Sequence, residues 1–256
     1  MIDLLVSLNL SPMQWILAAF CGLVVGISKT GLIGTFFLSL PILAGIFGSR
    51  TSTGVVLPML ILADLFAVVY YNRHANWKYL FKLMPFAFLG IFIALVVGGI
   101  VSGKTFSVIF ALTILVGIVI LIWRDLYRRD LAVPIRPWFS TGMGLVSGFA
   151  TMIGNAAGPL MSLYLLSMRL PKDVFIGTGA WFYLTVNLVK VPLQVLVWKT
   201  ITLQTLAFDL VTVPFIILGA VGGIFVVKRI PEKIYRVLVI VMIILTALML
   251  VVKFLF

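Results

Sequence analysis

Residues 22–34 read GLVVGISKTGLIG. Apolar residues and glycines surround one lysine, Lys29, in a stretch otherwise suited to the inside of a bilayer. A charge at membrane depth costs about 3 kcal/mol on insertion scales, so it persists where it faces a cavity or a partner. Gly31 and Gly34 allow one helix to stop and another to begin, and let a ligand come close to the main chain. A returning helix that starts near Gly31 aims its unsatisfied N–H groups and the positive end of its dipole into the protein. A lysine beside an open helix N-terminus makes an anion site, with Thr30 adjacent. The plainer reading is glycine for close helix packing, with Lys29 snorkelling to an interface.

The same form recurs further along the chain. TMIGNAAGP, residues 151–159, places Asn155 as a donor between Gly154 and Gly158, with Pro159 soon after the start of a returning helix, where proline is tolerated. GLVVG at 22–26 matches GLVSG at 144–148, and PFAFLG at 85–90 matches PFIILG at 214–219. Lys104-Thr105-Phe106 falls opposite Lys233-Ile234-Tyr235, and Asp64 aligns with Asn187. Their shared order points to a duplicated chain.

The bulk composition fixes the solvent. The chain of 256 residues is 63% hydrophobic and 10% charged, with a mean hydropathy of +1.26; soluble domains are about half apolar and a quarter charged. Apolar runs of roughly 20 residues, enough to cross a hydrocarbon core about 30 Å thick, recur along the chain. They do not alternate with period two, which excludes a β-barrel. The expected class is an all-α polytopic integral membrane protein. The net charge of +12 sits in short loops, as the positive-inside rule requires, so it speaks for lipid headgroups and topology, not nucleic acid. One cysteine, Cys21, excludes an internal disulfide and a cysteine metal cluster. The lone His74, in the basic loop YNRHANWK, reads as an interfacial residue. MIDLLVSLNLSP at the N-terminus has no basic region or small-residue cleavage pattern, so no cleavable signal peptide is expected.

Hydropathy and turn signals divide the chain into a first membrane repeat, 1–123, a basic cytoplasmic linker, 124–137, and a second repeat, 138–256. The first holds a broken hairpin over 12–47 and spans at 52–72, 79–101 and 105–123. The second holds a hairpin over 138–169 and spans at 174–198, 203–227 and 233–254. Charge sets the sense. If 138–169 enters and returns, thirteen basic residues lie inside, among them Arg73, Arg128, Arg169 and Lys228, and only Arg50, Lys104, Lys199 and Lys253 lie outside. Two arms of about 15 residues each rise only about 22 Å, short of a crossing. A hairpin plus three spans is an odd number of crossings, so the second repeat is inverted. Inverted repeats with interrupted helices mark transporters that hold substrate near the midplane. The side of the N-terminus is left open, because no lysine or arginine precedes Lys29.

Within 174–198, Tyr183, Asn187, Lys190 and Gln194 are spaced 4, 3 and 4 apart and line one helix face; Pro192 loosens the helix beside Lys190. Such a stripe faces water, a ligand or another helix. Asp64 lies at the matching depth of the other repeat, where it pairs with Lys29 or Lys190, or accepts a proton. This interior inventory, two lysines against Asp64, favours a small anion over a metal cation, which wants several carboxylates. No nucleophile–His–Asp set, phosphate loop or zinc spacing is present, so neither an enzyme nor a cofactor is expected.

GISKTGLIG, FGSRTSTGVVLPMLILADLFAVVYYNRHANW, GNAAGPLMSLYLLSMRLPK, GTGAWFYLTVNLVKVP and the paired P-x4-G spans resemble the TauE/SafE family of sulfite and organosulfur-anion exporters, over nearly the whole chain. Many members carry glycine triplets at the helix breaks; SKTGLIG and IGNAAG stand here instead, as in a particular subgroup. The resemblance implies export of sulfite, thiosulfate or sulfoacetate through the inner membrane, and leaves room for a homodimer. The substrate site expected from the residues comprises Lys29, Thr30, Gly31, Gly34, Gly154, Asn155, Gly158, Asn187 and Lys190, with Asp64, Tyr183 and Gln194 as coupling or gating residues. Transport of another small anion (sulfate, a phosphonate or a carboxylate), a passive anion channel and a non-transporting scaffold are the rival readings.

Overall fold

The computed structural model describes residues 2–30, 35–71, 74–106, 137–168 and 170–231, with isolated positions at 108, 109, 112, 119 and 234. Most of the expected span 105–123, nearly all of the span 233–254 and of the linker 124–137, and Gly31 and Gly34 lie outside the described residues.

The described chain is helical and contains no strand. After a short α1 (Ile2–Val6), α2 (Pro12–Thr30) and α3 (Ser39–Phe47) flank the first break, with a 3-10 turn at Thr35–Leu38 leading into α3. α4 (Ser49–Tyr71) and α5 (Trp77–Ile100) follow, then α6 (Pro137–Gly154), α7 (Ala157–Ser167), α8 (Lys172–Pro192) and α9 (Leu203–Arg229). Among the described residues, five helical segments are long and apolar enough to cross a membrane: Pro12–Thr30, Ser49–Tyr71, Trp77–Ile100, Lys172–Val197 and Leu203–Val226.

Both broken segments fold back. Trp15 at the start of α2 and Phe47 at the end of α3 lie against the same ring, Phe208, with centroids 5.7 and 5.0 Å away. Phe139 near the start of α6 lies 5.9 Å from the Tyr164 ring near the end of α7. The arms are unequal, 19 residues against 9 and 18 against 11, and not the equal arms of about 15 expected in 138–169. The second break is turned by Asn155, whose φ is 53°, whereas Gly154 remains the last residue of α6. Asparagine is among the few side chains that enter the left-handed region routinely. Gly48, at φ 81°, joins α3 directly to α4.

Contacts along the helices fix their directions. α2 and α9 run parallel: Trp15 meets Phe208, a Cβ on Gly26 would meet the Ala220 nitrogen at 2.6 Å, and one on Gly223 would meet the Ile27 Cα at 3.1 Å. α5 and α6 also run parallel, since Gly144 abuts the Leu83 carbonyl and Gly90 abuts Phe149. α4 and α8 are antiparallel, with Tyr71 beside Gly177, Asp64 bonded to Asn187 and Thr53 bonded to Gln194. α8 runs with α5, from Asn76–Thr178 to Leu95–Trp198; α9 runs with α4, from Gly54–Thr200 to Tyr70–Lys228. Thus α2, α4 and α9 point one way, and α5, α6 and α8 the other. One end of the bundle carries His74, Lys172 and Lys228, and the other carries Arg50 and Lys199.

The repeated motifs meet each other. GLVVG of α2 lies on PFIILG of α9, and GLVSG of α6 lies on PFAFLG of α5. Without Cβ atoms the backbones close to direct contact, the arrangement that gives van der Waals packing inside lipid, where helices gain no hydrophobic drive to associate.

Candidate functional site

The site is built where the two breaks meet the α4–α8 pair. The Phe37 ring, in the turn before α3, lies 3.3 Å from where a Cβ on Gly158 would sit in the first turn of α7. Beneath them is a cavity lined on its polar side by Ser28, Lys29, Thr151, Asn155, Tyr183 and Asn187, and on its apolar side by Phe36, Phe37, Leu60 and Ile176. Its space for water centres is about 30 Å³. One water centre needs roughly 10–15 Å³, so the cavity holds about two waters.

A continuous polar chain crosses this region. Lys29 Nζ lies 2.8 Å from Asp64 Oδ1 and 4.0 Å from the centroid of the Tyr183 ring. Asn187 Nδ2 donates to Asp64 Oδ2 at 2.7 Å, and its Oδ1 accepts from Lys190 Nζ at 3.0 Å. Lys190 Nζ also donates to Asn155 Oδ1 at 2.6 Å and to Thr151 Oγ1 at 3.1 Å. Asn155 Nδ2 donates to the Thr53 carbonyl at 3.0 Å. Gln194 Nε2 donates to Thr53 Oγ1 at 3.2 Å, and Gln194 Oε1 accepts from Thr200. Asp64 and Lys190 are fully buried, and the Lys29 side chain is 10% exposed.

The electrostatics follow from this wiring. Lys29 and Asp64 form an ion pair. The Lys190 ammonium has three N–H donors, and all three go to neutral side-chain oxygens. Among the described residues Lys190 touches no carboxylate; Asp64 reaches it only through Asn187. Its amine is held beside the cavity by oriented dipoles alone.

Of the residues expected in the site, Lys29, Asn155, Gly158, Tyr183 and Asn187 line the cavity. Lys190, Asp64 and Gln194 stand behind it within the polar chain. Thr30 turns away: its hydroxyl donates to the Gly26 carbonyl at 3.0 Å and abuts Gly223 on α9, while its own carbonyl accepts from the Tyr71 hydroxyl at 3.3 Å. Gly154 ends α6 outside the lining. Beside Lys190 the helix passes Pro192 and widens into a π turn over Leu193–Val197, the local irregularity that the missing proline donor allows.

Thr151 and Thr53 were not expected. Thr151 sits one turn before Asn155 on the same face, a spacing that could have shown it; Thr53 carries no such mark. Asp209 corrects the interior inventory. It is a second carboxylate buried within a long apolar helix, α9, although it takes no part in the polar chain.

A family model described as Sulfite exporter TauE/SafE matches residues 18–250. No curated protein and no solved structure matches the chain.

Proposed function

Because the chain belongs to the TauE/SafE family of sulfite exporters, we propose that its central cavity binds a small sulfur oxyanion, sulfite foremost, and passes it across the membrane by alternating access. The family is one of membrane transporters of sulfur anions and not of enzymes. The observation that carries the reading is Lys190, fully buried and bonded only to neutral oxygens, next to a Lys29–Asp64 pair that cancels itself. An ammonium at Lys190 would have no counter-charge among the described residues, and an anion in the cavity would supply one.

In this reading Lys29, the Ser28 hydroxyl and Asn155 contact the anion, with the first-turn N–H groups of α7 around Gly158 replacing part of its water shell. Lys190 acts from behind, holding Asn155 and Thr151 in place and supplying field. Gly31 and Gly34, which lie outside the described residues, stay in the proposed site on their sequence alone. A cavity with room for about two waters suits a compact anion that displaces them with slight widening. The opposed directions of α2 and α6, α4 and α8, and α5 and α9 support two inverted repeats that rock about the bound anion. We place the protein in the inner membrane, with lipid, or a second copy of the chain, against exposed residues such as Phe92 and Phe225.

Efflux of radiolabelled sulfite from proteoliposomes tests this. Saturable efflux is expected, with compact sulfite competing better than the longer sulfoacetate. Sulfite binding that is unchanged in both Lys29→Ala and Lys190→Ala would remove the lysines from the site, and non-saturating flux would make the protein a channel.

A further inference from the structure

Asp209 lies on the face of α9 that also carries Thr205, Thr212 and Ile216, all buried, with spacings of 4, 3 and 4. This face turns toward α2, where a Cβ on Gly22 would meet the Thr212 carbonyl at 3.1 Å. Asp209 is 6% exposed, and neither of its carboxyl oxygens has a hydrogen-bond partner among the described residues. The nearby hydroxyls are committed to backbone: Thr212 Oγ1 donates to the Asp209 carbonyl at 2.8 Å, and Thr205 Oγ1 donates to the Thr202 carbonyl at 3.0 Å.

Among the described helices, α1, α2, α3 and α4 pack on α9. Among the described side chains, their charged or titratable groups are Cys21 and Lys29 on α2, and Arg50, Asp64, Tyr70 and Tyr71 on α4. Lys29 and Asp64 are paired with each other. The Arg50 guanidinium is held by the Gly98 and Val101 carbonyls at the end of α5, Tyr71 bonds the Thr30 carbonyl, and Tyr70 lies under Lys228. None of them bonds Asp209. An uncompensated carboxylate at this depth is costly. A metal ion would want several oxygen ligands, yet among the described residues no three His, Cys, Asp or Glu side chains come together. A proton neutralises the group with no ligand set at all.

We propose that Asp209 is a proton-binding site that couples anion export to the proton gradient, the carboxyl holding a proton in this conformation and releasing it to water once per cycle. This rests on the transport reading. α2 gives the site its reach: one helix touches the Asp209 face of α9 at Gly22 and ends with Lys29 in the cavity, so a shift that hydrates Asp209 moves the arm that holds the anion.

The test uses wild type, Asp209→Asn and Asp209→Glu in proteoliposomes. With one proton coupled per anion, a pH gradient of one unit shifts the steady-state sulfite ratio by about tenfold. Wild type and Asp209→Glu should show that shift. Asp209→Asn should hold the ratio near one while still exchanging internal for external sulfite at equal pH. The anion's own protonation is the same in all three, so the difference isolates the carboxyl. A full pH response in Asp209→Asn, or a wild type that answers a sodium gradient and no pH gradient, overturns the proposal with transport intact. No sulfite flux by wild type overturns the transport reading itself.

Discussion

At the level of single residues, Lys29 and Asp64 hold each other in place. Removing one partner of a buried pair leaves a bare charge and costs about 3–5 kcal/mol. Lys29→Met should therefore destabilise the protein strongly, and Lys29→Met with Asp64→Asn should recover most of the loss, because both charges go together. Thermal unfolding in detergent reads the cycle; a double variant as unstable as the single one would mean that the pair is not what Lys29 contributes. Asn155 has two separable duties, a left-handed backbone and two side-chain bonds. Asn155→Ala loses both and Asn155→Gly only the bonds, so the glycine variant should be more stable by about 1–2 kcal/mol. Equal stabilities would show that the backbone angle costs nothing. Much of this site is legible in the sequence, since Lys29, Asp64, Asn155, Asn187 and Lys190 are conspicuous among apolar neighbours. The pairing is not legible: whether Asp64 meets Lys29 or Lys190 depends on the helix packing, which brings Lys29 onto Asp64 and puts Asn187 between the acid and Lys190. Asp209 escapes because a run such as 203–227 is read by its average hydropathy, and a single carboxylate barely lowers it.

At the level of elements, the two glycine crossings are the parts that set how closely helices approach. A Cβ on Gly26 would press on the Ala220 nitrogen, and one on Gly148 on the Ala87 backbone; neither neighbour is a flexible side-chain end. Gly26→Val and Gly148→Val should each cost at least the 1–3 kcal/mol typical of overpacking. Gly99→Val, where a Cβ meets nothing within 4 Å, should leave stability within about 1 kcal/mol, the helix-propensity scale. Unfolding midpoints for the three variants check this, and a Gly99 variant as damaged as the others would point to propensity instead of contact. The likeness of GLVVG to GLVSG, and of PFAFLG to PFIILG, shows in the sequence as repetition. That each glycine pair sits on the proline motif of the other half does not, because matching strings say which segments are alike and nothing about which ones touch. The unequal arms are hidden for a related reason: apolar length marks a hairpin's extent, whereas Asn155 decides where it turns.

For the whole molecule, the α4–α8 pair touches at three heights: Tyr71 with Gly177, Asp64 with Asn187, and Thr53 with Gln194. A reagent that bridges Thr53→Cys to Gln194→Cys, in a background with Cys21→Ala, should stop sulfite flux while each single cysteine variant keeps transporting; continued flux in the bridged protein would mean that this end does not move. Hydropathy is enough to see helices and a membrane, because lipid constrains them strongly. Three-level contact between two particular helices depends on side chains that hydropathy treats alike. The middle contact is a short charged bond, whereas the outer two are a glycine against a carbonyl and an amide against a hydroxyl. Tyr71 lies about 10 Å along α4 from Asp64, and Thr53 about 16 Å on the other side. Were Asp64 and Asn187 the fulcrum of the proposed rocking, prising one extremity apart would press the other together, as in a seesaw of unequal beams. Such a balance would deny solutes a simultaneous opening to both compartments without any dedicated plug.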